Sequence, residues 1–138
     1  MSAFVRDPND WLRKLSPDEW IRAALGEVAR AEAAYKARDI RAGVAGCKRA
    51  AGMALNAALI VEPNAGWGRT YVEHLSGLAK DADAPQGVRA AASIVEGARP
   101  PGTQLVPLRT PQANERVIEA TKDVMAHAYA VVQRHAWE

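Results

Sequence analysis

The sequence predicts an all-α protein, a single-domain antiparallel bundle of about five helices. Apolar residues recur every three or four positions along most of the chain, helix-capping signals precede several of these stretches, and no stretch shows β-strand alternation. With 138 residues, of which 49% are hydrophobic, the chain has the size of one domain and can bury one core. We expect an N-terminal arm over residues 1–15 and the helical bundle over residues 16–138.

The stretch from Asp39 to Val61 is predicted to be the central helix of this bundle. Its apolar residues recur at helical spacing, and most of its other residues are alanine or glycine. Because small side chains let neighbouring helices approach closely, we expect the helix to be buried along most of its circumference. Glycine weakens a helix by roughly 1 kcal/mol relative to alanine, so packing must stabilise this one. Cys47 lies in the apolar stripe, and we interpret it as a structural thiol.

The helix before this central stretch begins with a capping box. Ser16 and Pro17 are followed by Glu19, three residues after the serine, and the helical period then continues to about Arg38. Asp39 caps the next helix, so the connection is short and the two helices form an antiparallel hairpin. The apolar positions of the first helix are Trp20, Ile21, Ala24, Leu25, Val28, Ala31 and Tyr35. The arm before it is predicted to form a short helical turn that lays Trp11 on the bundle, with a disordered tag as the alternative.

Three more helices are predicted after the central one. Thr70 and Glu73 form a second capping box and begin a short helix. A fourth helix is expected over residues 86–98, and a long last helix over residues 111–134. An extended strap over residues 103–109 connects these two. The apolar positions of the third and last helices are Tyr71, Val72, Leu75, Leu78, Ala79, Val117, Ile118, Thr121, Val124, Met125, Ala128, Tyr129, Val131 and Val132.

The composition narrows the functional classes. A net charge of +2 is too balanced to indicate nucleic acid or an anionic membrane as the partner. The N-terminus lacks the pattern of a signal peptide, and no stretch has the roughly 20 apolar residues of a membrane span. A single cysteine excludes a disulfide within one chain. We therefore expect a soluble cytoplasmic protein that does not associate with membranes.

The order of these signals resembles the HEPN domain family over Trp20 to Gln133. The shared features are a helical hairpin with an alanine-rich second helix, a short helix with a His-Leu-x-x-Leu run, an Arg-x-Pro strap and a long closing helix. In this chain they are Ala45 to Leu59, His74-Leu75 with Leu78, Arg109-Thr110-Pro111, and Val117 to Val132. The resemblance implies an all-helical bundle that commonly forms homodimers. Some members are metal-independent ribonucleases, often toxins, that use an arginine and a histidine separated by four to six residues; others bind nucleotides or partner nucleotidyltransferases.

Arg69 and His74 are the candidate ribonuclease pair, because four residues separate them. The arginine would hold a phosphate and the imidazole would act as general acid or base. Helical residues five apart point about 140° from each other, however, which opposes convergence on one group. An ordinary helix start is the alternative interpretation of the same residues.

Arg109 is the stronger candidate for a ligand contact. An arginine on a proline-stiffened strap is prepositioned, and its planar fork suits phosphate or carboxylate; a structural clasp on helix carbonyls or on Glu73 is the alternative. The loop from Asn64 to Gly68 is either an anion cradle at a helix N-terminus or a turn that plugs Trp67 into the bundle, and the capping box favours the plug.

The remaining polar residues support neither a metal site nor a catalytic site. His127 and His135 lie eight residues apart without a cysteine or carboxylate cluster, so we interpret them as surface histidines. Asp81 and Asp83 are interpreted as turn residues. No metal site and no cofactor are predicted.

The function that these observations favour is a noncatalytic HEPN-like binding module for a nucleotide or a nucleotidyltransferase-type protein partner, with ligand contacts from Arg109, Arg69 and His74. One alternative is a metal-independent, toxin-like ribonuclease that uses Arg69 and His74, for which RNA would be the substrate. The other is a structural or protein-interaction domain without a small ligand. A homodimer is expected, because the alanine- and glycine-lined faces and the long last helix offer more apolar surface than a thin bundle buries.

Overall fold

The computed structural model describes residues 4–100 and 111–135, which form five α-helices and one 3-10 turn. The helices are α1 (Pro17–Lys36), α2 (Ile40–Val61), α3 (Tyr71–Ala79), α4 (Gln86–Gly97) and α5 (Pro111–Arg134), and the 3-10 turn (Ala65–Trp67) precedes α3. No strand occurs in these two ranges. The predicted all-α helical bundle is confirmed. The strap over residues 103–109 lies outside the described residues.

The capping signals act as the sequence predicts. The Ser16 hydroxyl accepts a hydrogen bond from the Glu19 backbone N–H at 3.2 Å, and the Glu19 carboxylate accepts one from the Ser16 N–H at 2.9 Å. Asp39 caps α2 by accepting from the Ala42 N–H at 3.1 Å. Arg38 has a φ of 64°, a left-handed conformation that cannot continue a right-handed helix. Helix α1 therefore ends at Lys36, two residues before the predicted end.

Helix α2 is the centre of the bundle, as predicted. It contacts each of the other four α-helices, and every residue from Ala54 to Ile60 is buried. Seven consecutive buried residues cover about two helical turns, so neighbours surround this part of the helix on all sides. The small residues make the close approach possible: a Cβ on Gly46 would lie 2.9 Å from the Cβ of Ala31 on α1.

Three large residues assigned to the apolar faces are exposed instead. Leu25, Val72 and Tyr129 are 55%, 48% and 49% exposed. Each helical residue is rotated by about 100° from the one before it, so a residue next to a buried position can point away from the core. This holds for Leu25, which follows the fully buried Ala24, and for Tyr129, which follows Ala128. Their assignment to the buried faces was wrong.

Helix α2 is also long and apolar enough to meet a length and composition test for a membrane span. Of its most apolar window, 72% is buried inside the bundle. Burial of this extent is what a central core helix shows, and it accounts for the mean hydropathy of α2 without a membrane.

The N-terminal arm lies on the bundle. Residues 11–14 form a turn, and the Lys14 N–H donates to the Asp10 carbonyl at 3.2 Å. The indole N–H of Trp20 on α1 donates to the Leu12 carbonyl at 2.8 Å, which fixes the turn to the helix. The predicted helical turn is therefore present in the arm.

Candidate functional site

His74 is fully buried in α3 and both of its ring nitrogens have partners. Nδ1 lies 2.9 Å from the Trp67 carbonyl oxygen, and Nε2 lies 2.8 Å from the Asn56 side-chain oxygen. The first contact ties α3 to the 3-10 turn before it, and the second ties α3 to the central helix α2. The ring is therefore an internal cross-link between three elements.

The protonation state of His74 follows from these contacts. Burial lowers the pKa of His74 from its ordinary value, so the neutral imidazole is favoured, although the bond to the Trp67 carbonyl opposes the shift. A neutral ring has one donor and one acceptor. The Trp67 carbonyl can only accept, so Nδ1 carries the proton and Nε2 accepts. The Asn56 oxygen beside Nε2 cannot bond a second acceptor, so the hydrogen-bond network assigns the amide turned by about 180°, with its NH₂ group donating to Nε2.

Arg69 lies outside this buried cluster. Its side chain is exposed just before the cap of α3, and its guanidinium carbon lies 6.0 Å from the centre of the Trp11 ring. Arg69 and His74 thus differ in environment, one on the surface and the other at 0% exposure. Both ring nitrogens of His74 are bonded within the protein, so neither is available to act on a group held by the Arg69 guanidinium.

The loop before α3 is a plug, as the capping box indicated. The Glu73 carboxylate accepts from the backbone N–H groups of Thr70 and Arg69 at 3.2 Å and 3.4 Å, so these donors are not available to an anion. Trp67 packs against the main core cluster, and a Cβ on Gly77 would clash with its indole.

Trp11 from the arm covers His74. The two ring centroids lie 5.8 Å apart with an interplanar angle of 31°. The turn that holds Trp11 is fixed by Asp10, whose carboxylate accepts from the Leu12 N–H at 2.8 Å and the Arg13 N–H at 3.3 Å. These backbone bonds lower the pKa of Asp10. Trp11 therefore lies next to both the buried imidazole and the exposed guanidinium of Arg69.

Two open grooves adjoin Trp11 and Arg69. The first, which we call the Lys14 groove, has a volume of about 350 Å³ and is lined by Trp11, Lys14, Trp20, Asn56, Arg69, Thr70 and Tyr71. The second, the Leu59 groove, has a volume of about 410 Å³ and is lined by Trp11, Leu12, Leu59, Pro63, Asn64, Ala65, Gly68 and Arg69. The first contains the richer set of polar groups.

The Lys14 groove has a buried floor and a cationic rim. Asn56 and Trp20 are 2% and 3% exposed and form the floor, whereas Lys14 and Arg69 are exposed. Neither cation forms an ion pair with a described residue. Lys14 lies 5.7 Å from the centre of the Trp20 ring, so the cations stand against aromatic faces, which attract positive charge.

The other candidate residues have structural roles or lie outside the described ranges. Arg109 is outside them. Asp81 accepts from the Asp83 N–H at 2.9 Å, which confirms the turn. Burial lowers the pKa of the half-buried His127, and His135 contacts the Glu62 carboxylate at 2.6 Å. Both histidines are thus more buried than the surface interpretation assumed.

Cys47 and the acidic side chains show no further site within residues 4–100 and 111–135. Cys47 is 0% exposed, and burial raises the pKa of its thiol, which agrees with the structural role predicted from the sequence. No group of three or more histidine, cysteine or acidic side chains is placed to hold a metal ion in these ranges.

Sequence reasoning missed Asn56, Lys14 and Tyr71 as parts of one groove. For Asn56 a signal was present: it is the only amide or hydroxyl side chain in α2, within a run of alanine and leucine. A buried polar group is costly without a hydrogen bond, so a lone asparagine in a core helix indicates a specific partner. For Lys14 and Tyr71 the sequence held no such signal.

Comparison with protein-family models, with curated proteins and with solved structures finds no match to this chain. The resemblance to HEPN domains therefore stays a prediction from the sequence motifs. Function is argued below from the side chains of the site.

Proposed function

We propose that the protein is a noncatalytic binding module that holds a nucleotide in the Lys14 groove. The observation that carries the proposal is the pair of cations, Lys14 and Arg69, which form no ion pair with a described residue and stand over a groove with aromatic walls. The carboxylate of Asp10 is near enough to feel the charge of Arg69 but makes its hydrogen bonds to the Leu12 and Arg13 N–H groups. Phosphate is the charge complement of such a pair, and the guanidinium presents a planar fork that bonds phosphate oxygens. Trp11 and Tyr71 supply the apolar and aromatic surface against which a base packs.

The size of the groove fits this class of ligand. Sites for small molecules have volumes of roughly 300 to 1,000 Å³, and about 350 Å³ is at the lower end of this range. A mononucleotide fits with its base on the aromatic floor and its phosphate beside the two cations at the exposed rim. A purely apolar ligand would leave both cations unused.

The state of His74 supports binding over catalysis. A ribonuclease needs an imidazole nitrogen within hydrogen-bond reach of the reacting oxygen. Both nitrogens of His74 are bonded within the protein, and Trp11 covers the ring. We therefore place His74 in the support of the site, and Arg69 in the ligand contact.

The partners inferred from the HEPN resemblance stay predictions: a homodimer, and a nucleotidyltransferase-type protein as binding partner. Cytoplasmic localisation stays a prediction as well. An interaction domain without a small ligand is the competing proposal, and the exposed Leu25 and Tyr129 are the surface residues it would use first.

Isothermal titration calorimetry with nucleoside mono- and triphosphates tests the proposal. We expect saturable binding that weakens about tenfold to a hundredfold in Arg69→Ala, because a hydrogen bond to a charged group contributes about 1.5 to 3 kcal/mol. Lys14→Ala should weaken binding as well. The matched control is Arg41→Ala, which removes an exposed arginine near the other end of α2, about 22 Å from Asn56 along the helix axis.

The outcomes separate the candidate functions. Loss in Arg69→Ala with an unchanged Arg41→Ala supports the Lys14 groove, whereas loss only in Arg109→Ala would move the site to the strap. No saturable binding at millimolar nucleotide would overturn the nucleotide proposal and leave a protein-interaction domain. Cleavage of RNA without metal that disappears in His74→Ala would instead support the ribonuclease alternative.

A further inference from the structure

The floor of the Lys14 groove contains one polar atom, at the outer end of the Asn56 amide, that bonds no described residue. Asn56 is 2% exposed, and one end of its amide is bonded to His74 Nε2 at 2.8 Å. The other end of the amide has no hydrogen-bond partner among the described residues, and Asn56 lines the groove. A buried amide makes up to four hydrogen bonds, so this end is open to a ligand.

His74 decides which end of the amide faces the groove. The Trp67 carbonyl accepts from Nδ1–H, which leaves Nε2 as an acceptor. The Asn56 oxygen, 2.8 Å from Nε2, cannot bond a second acceptor, so with a neutral ring we assign the amide turned by about 180°. In this orientation the NH₂ group donates to Nε2 and the side-chain oxygen points away from the ring. The floor of the groove therefore presents a fixed hydrogen-bond acceptor.

Resting on the proposed nucleotide-binding function, we infer that Asn56 reads the base: its oxygen accepts a hydrogen bond from an exocyclic amine. The ligand is then an amino-bearing nucleotide, of the adenine or cytosine kind, and a base with a carbonyl in the same place is rejected because two acceptors would face each other. Arg69 and Lys14 hold the phosphate without regard to the base. His74 is a positioning residue that fixes the amide.

The expected discrimination follows from the burial of Asn56. A ligand without the amine leaves a nearly water-excluded acceptor unpaired, a loss of about 1 to 3 kcal/mol, which corresponds to roughly fivefold to 150-fold in affinity. Packing of the base against Trp11 and Tyr71 contributes equally to ligands with and without the amine.

The experiment compares two ligands that differ by this one group, adenosine 5′-monophosphate and purine riboside 5′-monophosphate. For the wild-type protein, calorimetry should give about fivefold or greater preference for the amino nucleotide. Asn56→Leu should abolish the preference, because it removes the acceptor that distinguishes the two ligands. Asn56→Asp should keep the preference: the carboxylate favours a second proton on His74, so that one oxygen accepts from Nε2–H and the other still accepts from the exocyclic amine.

Failure of the inference and failure of the proposed function give different results. Equal affinities for the two ligands, with binding still lost in Arg69→Ala, overturn the role of Asn56 and keep the nucleotide site. No binding of either ligand overturns both. The wild-type comparison does not depend on a variant that folds.

The amide orientation has an independent readout. Nitrogen-15 NMR of the wild-type protein should show His74 neutral with the proton on Nδ1. A proton on Nε2, alone or together with Nδ1, would turn the amide the other way and overturn the inference.

Discussion

Gly46→Ala tests the close contact between α1 and α2 on which the central position of α2 depends. The new Cβ would lie 2.9 Å from the Ala31 Cβ and 3.4 Å from the Ala31 Cα. Carbon atoms in good contact are about 3.5 to 4.0 Å apart, so the two helices must separate by roughly 1 Å. The Ala31 Cβ is attached directly to the backbone of α1, so no side-chain rotation can move it away. Overpacking of this kind lowers the free energy of unfolding by about 1 to 3 kcal/mol. The higher helix propensity of alanine raises it by roughly 1 kcal/mol.

Gly26→Ala is the matched control, because Gly26 lies within α1 and its added Cβ would meet only the end of the Arg30 side chain, at 3.6 Å. Urea denaturation should show Gly26→Ala stabilised by up to about 1 kcal/mol, and Gly46→Ala less stable than Gly26→Ala by about 1 to 3 kcal/mol. Equal stabilisation by both substitutions would show that α1 and α2 are not in contact at Gly46, and would refute the packing argument.

Two titration predictions follow from the ionisable groups. Arg134, which bonds Glu62 at 2.8 Å, lowers the pKa of Glu62 to about 2 from 4.5, so this stabilisation is complete above about pH 4.5 and is lost as the pH falls toward 2. In thermal unfolding, Glu62→Gln should therefore lose less stability than the wild type when the pH is lowered from 5 to 2. The effect should be small, because the side chains of Arg134 and Glu62 are both partly exposed. An equal loss in the two proteins would show that the ion pair contributes nothing to stability. Trp11→Ala should raise the pKa of His74 toward its ordinary value, since burial is the main cause of its lowering. NMR titration of His74 measures this pKa shift, and Leu12→Ala is the control. If Leu12→Ala gives the same shift, its cause is loosening of the arm and not the loss of the Trp11 indole.

The elements that the sequence predicts well are those that local chemistry decides. Ser16 with Glu19, and Thr70 with Glu73, satisfy helix N–H groups within four residues, so the pattern alone locates the two helix starts. The exposed Leu25 shows the limit of periodicity. A stripe of apolar residues fixes which side of a helix is buried, but the width of the buried arc depends on how neighbouring helices cross it.

The groove could not be predicted in the same way, because its parts come from distant places in the chain. Lys14 belongs to the arm, Asn56 to α2 and Tyr71 to α3, and they meet only because α3 packs on α2 and the arm docks beside both. That docking depends on single long-range bonds such as the one from Trp20 to the Leu12 carbonyl. No spacing in the sequence encodes such a bond.

The pair of Asn56 and His74 would be a poor choice if stability alone decided these positions. An apolar pair of similar volume avoids the desolvation of four polar atoms, and such replacements are often neutral or stabilising in protein cores. The bond from His74 to the Trp67 carbonyl gives the histidine a structural use, since it fixes the turn before α3. That bond gives no structural use to the outer end of the Asn56 amide, which faces the groove and bonds no described residue. A ligand that donates a hydrogen bond there completes the network, which is why the base-reading role is assigned to Asn56 and the phosphate to the exposed cations above it.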